Sequence, residues 1–146
     1  MAPMKVKVRR MDKEVPLPEY KTAGAAAMDY YLREDLTIAP KEIAFVKLNI
    51  ATKAPRGHFI LCVARSSMWK RGLMMANNAG IIDEDYSGDG DEHLCPIYNF
   101  SNEPVTVKRG ERILQFMVLP FDRVEWEEVE TLGPGPDRGG FGTTGK

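Results

Sequence analysis

Apolar and polar residues alternate along much of the chain with the period of two that marks a half-buried strand. Lys5-Val6-Lys7-Val8-Arg9 is the first such run. Glu42 to Ile50 is a β-branched and aromatic run behind Pro40-Lys41, and His58 to Ala64 follows the turn Pro55-Arg56-Gly57. Pro96 to Phe100 and Val105 to Val107 read the same way. Beyond the Lys108-Arg109-Gly110-Glu111 turn, Arg112 to Leu119 predicts a long apolar strand that Pro120 ends. Val124 to Val129, with Trp126 inside it, predicts a last strand. No long window places apolar residues at i, i+3, i+4 and i+7, and Ser66 to Arg71 predicts at most a turn or two of helix. Many short strands between Gly and Pro turns predict an all-β sandwich or barrel.

The 146 residues amount to one domain, with no internal repeat and no linker. Twenty Lys and Arg against 21 Asp and Glu leave a formal charge of -1. That balance argues against a duplex nucleic-acid partner, which needs a marked basic excess on one face. No apolar run approaches the ~20 residues of a membrane helix. The opening Met-Ala-Pro-Met-Lys-Val-Lys has no apolar core of a secretory signal. The expectation is a chain that is neither secreted nor membrane-bound, working in the cytoplasm or in a nuclear or viral-host compartment. Cys62 and Cys95 lie far apart, outside any metal-ligand spacing, and read as buried reduced thiols. His58 and His93 read as isolated. The tail differs: residues 131–146 hold six of the 13 glycines and, Phe141 apart, almost no large apolar side chain. It cannot form a packed core. The division expected is a β domain over 1–130 and a flexible Gly-rich arm over 131–146, able to close over a ligand as a lid.

Four short constellations could carry chemistry. Arg65-Ser66-Ser67 stands at a strand end, where a guanidinium fork, hydroxyls and amides can cradle phosphate oxygens. Asn77-Asn78-Ala79-Gly80 predicts a tight hairpin leading into Ile81-Ile82-Asp83. An Asp after an apolar pair can be partly desolvated, which raises its basicity and suits a general base. Asp83-x-Asp85-x-Ser87-Gly88 matches the opening of a calcium loop, but Leu94 stands where the bidentate Glu belongs. Asp29, behind Ala25-Ala26-Ala27-Met28, suits a close-packed site. Taken singly, each has an ordinary reading: a surface Arg and a helix cap, a solvated acidic turn, a strand start. No nucleophile triad, zinc cluster or Walker-type loop is present in the sequence.

Taken in order, these segments resemble the five motifs of the trimeric dUTPases. Ala27-Met28-Asp29-Tyr30 is similar to the first, and Arg65 through Gly72 to the second. Asn77 through Tyr86 with Gly88 is similar to the third, Arg109-Gly110-Glu111-Arg112-Ile113-Leu114-Gln115 to the fourth, and Arg138 through Gly145 to the fifth. The resemblance implies an all-β, jelly-roll-like barrel assembled as a homotrimer with shared active sites. It implies hydrolysis of dUTP to dUMP and pyrophosphate, with Mg2+ on the triphosphate. In that reading Asp83 deprotonates the attacking water. Tyr86 packs on the deoxyribose, while Asn77 and the backbone of Gly80, Ile81 and Ile82 read the uracil edge. Arg65, Ser66 and Ser67 hold phosphate, Gln115 supports the site, and Asp29 meets magnesium through a water. Arg138 acts on the γ-phosphate, Phe141 stacks on uracil, and Gly142, Thr143 and Thr144 donate to phosphates. Two departures stand out. Only Gly139-Gly140 separates Arg138 from Phe141, shorter than the family usually has. The stretch from Asp89 to Glu92 reads as an insertion that protrudes from a hairpin as solvated decoration. The dCTP deaminases, which share the fold and the Arg-Ser-Ser motif, are the alternative; they need a Glu base where this chain has Pro96.

Overall fold

The computed structural model describes residues 2–142, so the phosphate-donor positions Thr143 and Thr144 lie outside the described residues. The fold is all-β. The strands are β1 (Lys7–Arg10), β2 (Met28–Asp29), β3 (Leu36–Ile38), β4 (Ile43–Lys47), β5 (Ile50–Lys53) and β6 (His58–Ala64). They continue as β7 (Leu73–Met75), β8 (Gly80–Ile82), β9 (Leu94–Asn99), β10 (Val105–Val107) and β11 (Leu114–Pro120), and the only helix among the described residues is a 3-10 turn over Met68–Arg71. No helix among them is long and apolar enough to cross a membrane.

The backbone of the molecule is the sheet β2-β11-β6-β8, in which β11 and β6 pair antiparallel over their whole length, from Leu114↔Ala64 to Pro120↔His58. The period of two places Ile60 and Cys62 of β6 and Leu114 and Phe116 of β11 on the inner face, all buried. A second sheet, β4-β9-β7, faces the same core with Val46, Ile97 and Leu73. Two small ribbons, β1-β5 and β3-β10, complete the packing.

Four expectations are corrected. The run from Glu42 to Ile50 is two strands, not one. It breaks at Asn49, whose φ of 70° is left-handed, a region that Asn tolerates better than most residues. The buried Asn49 side chain exchanges hydrogen bonds with the backbone of Asp12, at 2.8 and 3.1 Å, and so carries the chain from one sheet to another. Val124 to Val129 forms no strand: after Phe121, whose amide still bonds Gly57 O at 3.0 Å, the described chain holds no further strand and Trp126 is 89% exposed. The alternation is there, but no edge of the same chain runs beside it, and a strand needs a neighbour to satisfy its amides.

The Asp89–Glu92 segment is solvated at Asp89 and Gly90, as expected, but its end is not decoration. Glu92 is buried, its carboxylate held by Arg33 at 2.8 and 2.9 Å and by the Asn49 amide at 2.9 Å. Nor is His93 isolated. Fully buried, it meets Tyr30 Oη through Nδ1 at 2.8 Å and Thr52 Oγ1 through Nε2 at 3.0 Å. Burial lowers its pKa from 6.5 to about 4, so it sits in the core as a neutral ring.

Candidate active site

Strand pairing brings three distant segments together at one end of the main sheet. Asp29 ends β2 and faces Gln115 of β11 directly across the ladder. Arg65 follows β6, its amide bonded to Ile113 O at 3.1 Å. The Asp29 carboxylate, 8% exposed, then holds two guanidiniums: Arg65 Nε at 3.2 Å from Oδ1 and Arg112 Nη1 at 3.0 Å from Oδ2. Arg65 Nη1 also donates to Arg112 O at 2.8 Å, and Gln115 Nε2 to Ala64 O at 3.0 Å. The two arginines are fixed before any anion arrives, the condition for electrostatic preorganisation.

These arginines open onto a cleft of about 450 Å³ whose lining includes Arg65, Ser67, Lys70, Arg71, Glu111 and Arg112. Met68 is buried and pins the 3-10 turn, while Ser66 and Ser67 are exposed and the Ser67 hydroxyl makes no cap bond. Arg71 is held on the cleft wall by Glu111 at 2.9 Å and Thr106 O at 2.8 Å. Partial burial opposes the charge of Glu111, yet the hydrogen bonds from Arg71 and the Lys108 amide outweigh it and keep its pKa below 4.5. A cleft with four cations and one carboxylate suits a polyphosphate. The motif reading assigned no part to Arg112, Lys70 or Arg71. Arg112 could have been found from the fourth motif, where it stands three residues before Gln115.

A second, smaller cleft of about 150 Å³ is lined by Ile81, Ile82, Asp83, Tyr86 and Leu94. The expected hairpin does not form: β7 pairs with β9 and β8 with β6, so the turn over residues 77–79, with Asn78 in the left-handed region at φ 64°, carries the chain from one sheet to the other. β8 pairs with β6 and ends its sheet, so no further strand lies beside its outer backbone edge among the described residues. Gly80 lets β8 lie close to β6, because a Cβ there would stand 3.3 Å from Cys62 Cβ and one of them would have to shift. Asp83 is exposed rather than partly desolvated, since Ile81 before it turns outward and only Ile82 packs inward. Glu84 anchors the loop by accepting from Gly57 N at 2.8 Å. Tyr86 donates from its hydroxyl to Glu92 O at 2.9 Å.

The two clefts share no lining residue. One collects Arg65 and Ser67 beside Asp29 and Gln115; the other collects Ile81, Ile82, Asp83 and Tyr86. Asn77 is exposed on the turn between β7 and β8. Arg138, Phe141 and Gly142 join neither lining and lie in the exposed tail.

No group of three or more His, Cys, Asp or Glu side chains among the described residues could hold a metal ion. Asp29 has each oxygen committed to an arginine, yet a carboxylate offers about four lone-pair sites and can still accept from a metal-bound water. The donor set therefore fits a cation that keeps most of its waters, as magnesium does, and not one caged by protein.

The sequence model of the dUTPase family matches residues 13–145. The deoxyuridine 5'-triphosphate nucleotidohydrolase of Dictyoglomus turgidum is 42% identical, with 97% of this chain and 99% of the relative covered. That of Anaeromyxobacter sp. (strain Fw109-5) is 41% identical, with 99% of each covered. Among solved structures, the Staphylococcus bacteriophage 80alpha dUTPase bound to dUPNHPP superposes with a TM-score of 0.85 over 97% of this chain and 99% of that one. At 23% identity, that likeness carries the jelly-roll-type fold alone. The motifs found in order, the fold, and relatives matched along nearly their full length converge: the chain belongs to the dUTPase family.

Proposed function

We propose that this chain hydrolyses dUTP to dUMP and pyrophosphate, and that its active site is completed only between copies of the chain. The observation that carries the reading is the pair of clefts: a cationic one suited to a polyphosphate and one beside edge strand β8 suited to a base and sugar, both on one family framework. Asp83 takes the proton of the water that attacks the α-phosphorus, and pyrophosphate leaves. Asp83 is exposed and so open to a water and a substrate phosphate. Asn77 and the outer edge of Gly80, Ile81 and Ile82 pair with uracil, and the turn before β8 excludes a 5-methyl group. Tyr86 closes on the deoxyribose and excludes a 2′-hydroxyl. Arg65, Ser66, Ser67 and Arg112 bind phosphate oxygens, and Gln115 supports them. Magnesium, when bound with the triphosphate, offsets phosphate charge; Asp29 would reach it through a water. The arm of residues 131–146 supplies Arg138 to the γ-phosphate, Phe141 to the uracil face, and Gly142, Thr143 and Thr144 to phosphate oxygens.

Support for the assembled form comes from the outer face of β4-β9-β7. There Ile43, Tyr98 and Met74 lie in one register row, and Ile43, Phe45, Met74 and Leu94 are exposed. An apolar row of this kind is what a self-interface uses. The expected assembly is a homotrimer, read out as three chain masses in sedimentation or light scattering.

The deciding assay supplies dUTP, dCTP, UTP and dTTP with magnesium and follows products. Pyrophosphate and dUMP from dUTP alone are expected. Ammonia from dCTP, or no turnover of dUTP, overturns the reading.

A further inference from the structure

The segment that the sequence marks as an insertion lies directly behind Tyr86. The Tyr86 hydroxyl donates to Glu92 O at 2.9 Å, six residues along the chain. The loop between is folded on itself: Asp91 N bonds Gly88 O at 3.1 Å, Glu92 N bonds Gly90 O at 2.9 Å, and Gly88 N bonds Asp91 Oδ2 at 2.8 Å. A Cβ on Gly88 would stand 2.9 Å from that same oxygen, which shows how closely the Asp91 side chain folds back on the turn. From outside, Arg9 of β1 donates to Asp89 O at 3.0 Å.

The carbonyl that receives Tyr86 is fixed from both sides. On the residue itself, the Glu92 carboxylate makes a two-pronged pair with Arg33 at 2.8 and 2.9 Å and accepts the Asn49 amide at 2.9 Å. On the next residue, His93 N bonds Ile50 O at 2.8 Å and its carbonyl takes Leu48 N at 3.0 Å, while its ring is bonded at both nitrogens. At its backbone, Tyr86 N bonds Asp83 O at 3.1 Å. The ring is thus held at both ends, by the loop that carries Asp83 and by the core.

Tyr86 is 38% exposed, so water could satisfy its hydroxyl, and folding alone does not require the tether. Sterics reject an added hydroxyl only weakly if the wall can yield. A wall tied at its far edge cannot swing aside. We infer that the Ser87–Glu92 loop is a positioning device for Tyr86, and that the Glu92–Arg33 ion pair behind it sets how strictly the site rejects a ribonucleotide. The inference rests on the placement of dUTP proposed above, with the sugar against Tyr86.

The test uses the full chain with dUTP and UTP, each with magnesium, and separates kcat from KM. Wild-type turnover of dUTP reports on the proposed function; the change in dUTP-over-UTP preference among variants reports on the loop. Tyr86→Phe keeps the ring and removes the tether. Glu92→Gln keeps the size and an acceptor but removes the charge. Tyr86→Phe is expected to lower the preference about fivefold, the worth of one ordinary hydrogen bond. Glu92→Gln leaves the accepting carbonyl and loosens its anchor, so it should lower the preference by less. The change should appear as a lower KM for UTP. The double variant should be no worse than Tyr86→Phe alone, because both act through one tether. An unchanged preference in Tyr86→Phe overturns the inference. So does a loss of activity on both nucleotides in equal measure, or additive effects in the double variant.

Discussion

The two halves of the site are built in opposite ways. The phosphate half is charge on charge, assembled from residues as far apart as 29, 65 and 112, with one buried carboxylate holding two guanidiniums. The base half is almost contiguous, residues 77 to 86, and works through an edge-strand backbone, a glycine and an exposed aspartate. The first must be rigid before substrate arrives, because desolvated arginines without a counter-charge would repel one another. The second can wait for substrate, because hydrogen-bonding edges and a carboxylate cost nothing while they face water.

The difference can be broken from either side. The largest effect is expected from Asp83→Asn, which keeps shape and removes the base. Turnover should fall about a thousandfold with dUTP binding retained, measured by single-turnover rates and calorimetry. Wild-type rates would remove Asp83 from the chemistry. Asp29→Ala attacks the other half through stability as well as activity. It should cost about 3 kcal/mol in urea unfolding, at the low end for a broken buried pair because Arg65 and Arg112 remain about a third exposed. Unchanged stability would mean that the pair is decoration. Truncation after Leu132 leaves both clefts intact and removes the arm. Turnover should drop on the order of a hundredfold through lost positioning, with the melting temperature unmoved. Full activity would exclude the arm from catalysis.

The smallest effect probes the anchor behind the base half. Burial holds His93 near a pKa of about 4, below the 6.5 of the unfolded chain. As pH falls the unfolded state takes up the proton first, so stability is full above about pH 6.5 and is lost progressively toward pH 4. Between pH 7 and pH 5 the loss from this group should be roughly 2 kcal/mol. His93→Gln should flatten that slope in urea melts, and a slope equal to wild type would show that His93 does not carry it.

Legibility followed contiguity. Strand β6 and strand β10 were readable to the residue, since alternation and flanking turns are local properties. The third motif was readable for the same reason. The Asp29 pairing was not, because Arg65 and Arg112 become its neighbours only when β2, β6 and β11 share a sheet. Glu92 looked like one more charge in an acidic run, since its partner Arg33 lies 59 residues away. Val124 to Val129 carried a strand's pattern but met no strand edge, so the local signal misled.

The sequence by itself determined the fold class, the family and the order of its motifs. Those depend on periodicity and on short runs of residues whose chemistry is local. Tertiary structure alone decided which charges meet, that Glu92 is buried and which carbonyl holds Tyr86. The physical reason is that an ion pair or a buried polar contact exists only where packing removes water from both partners at once, and no single stretch of chain contains both.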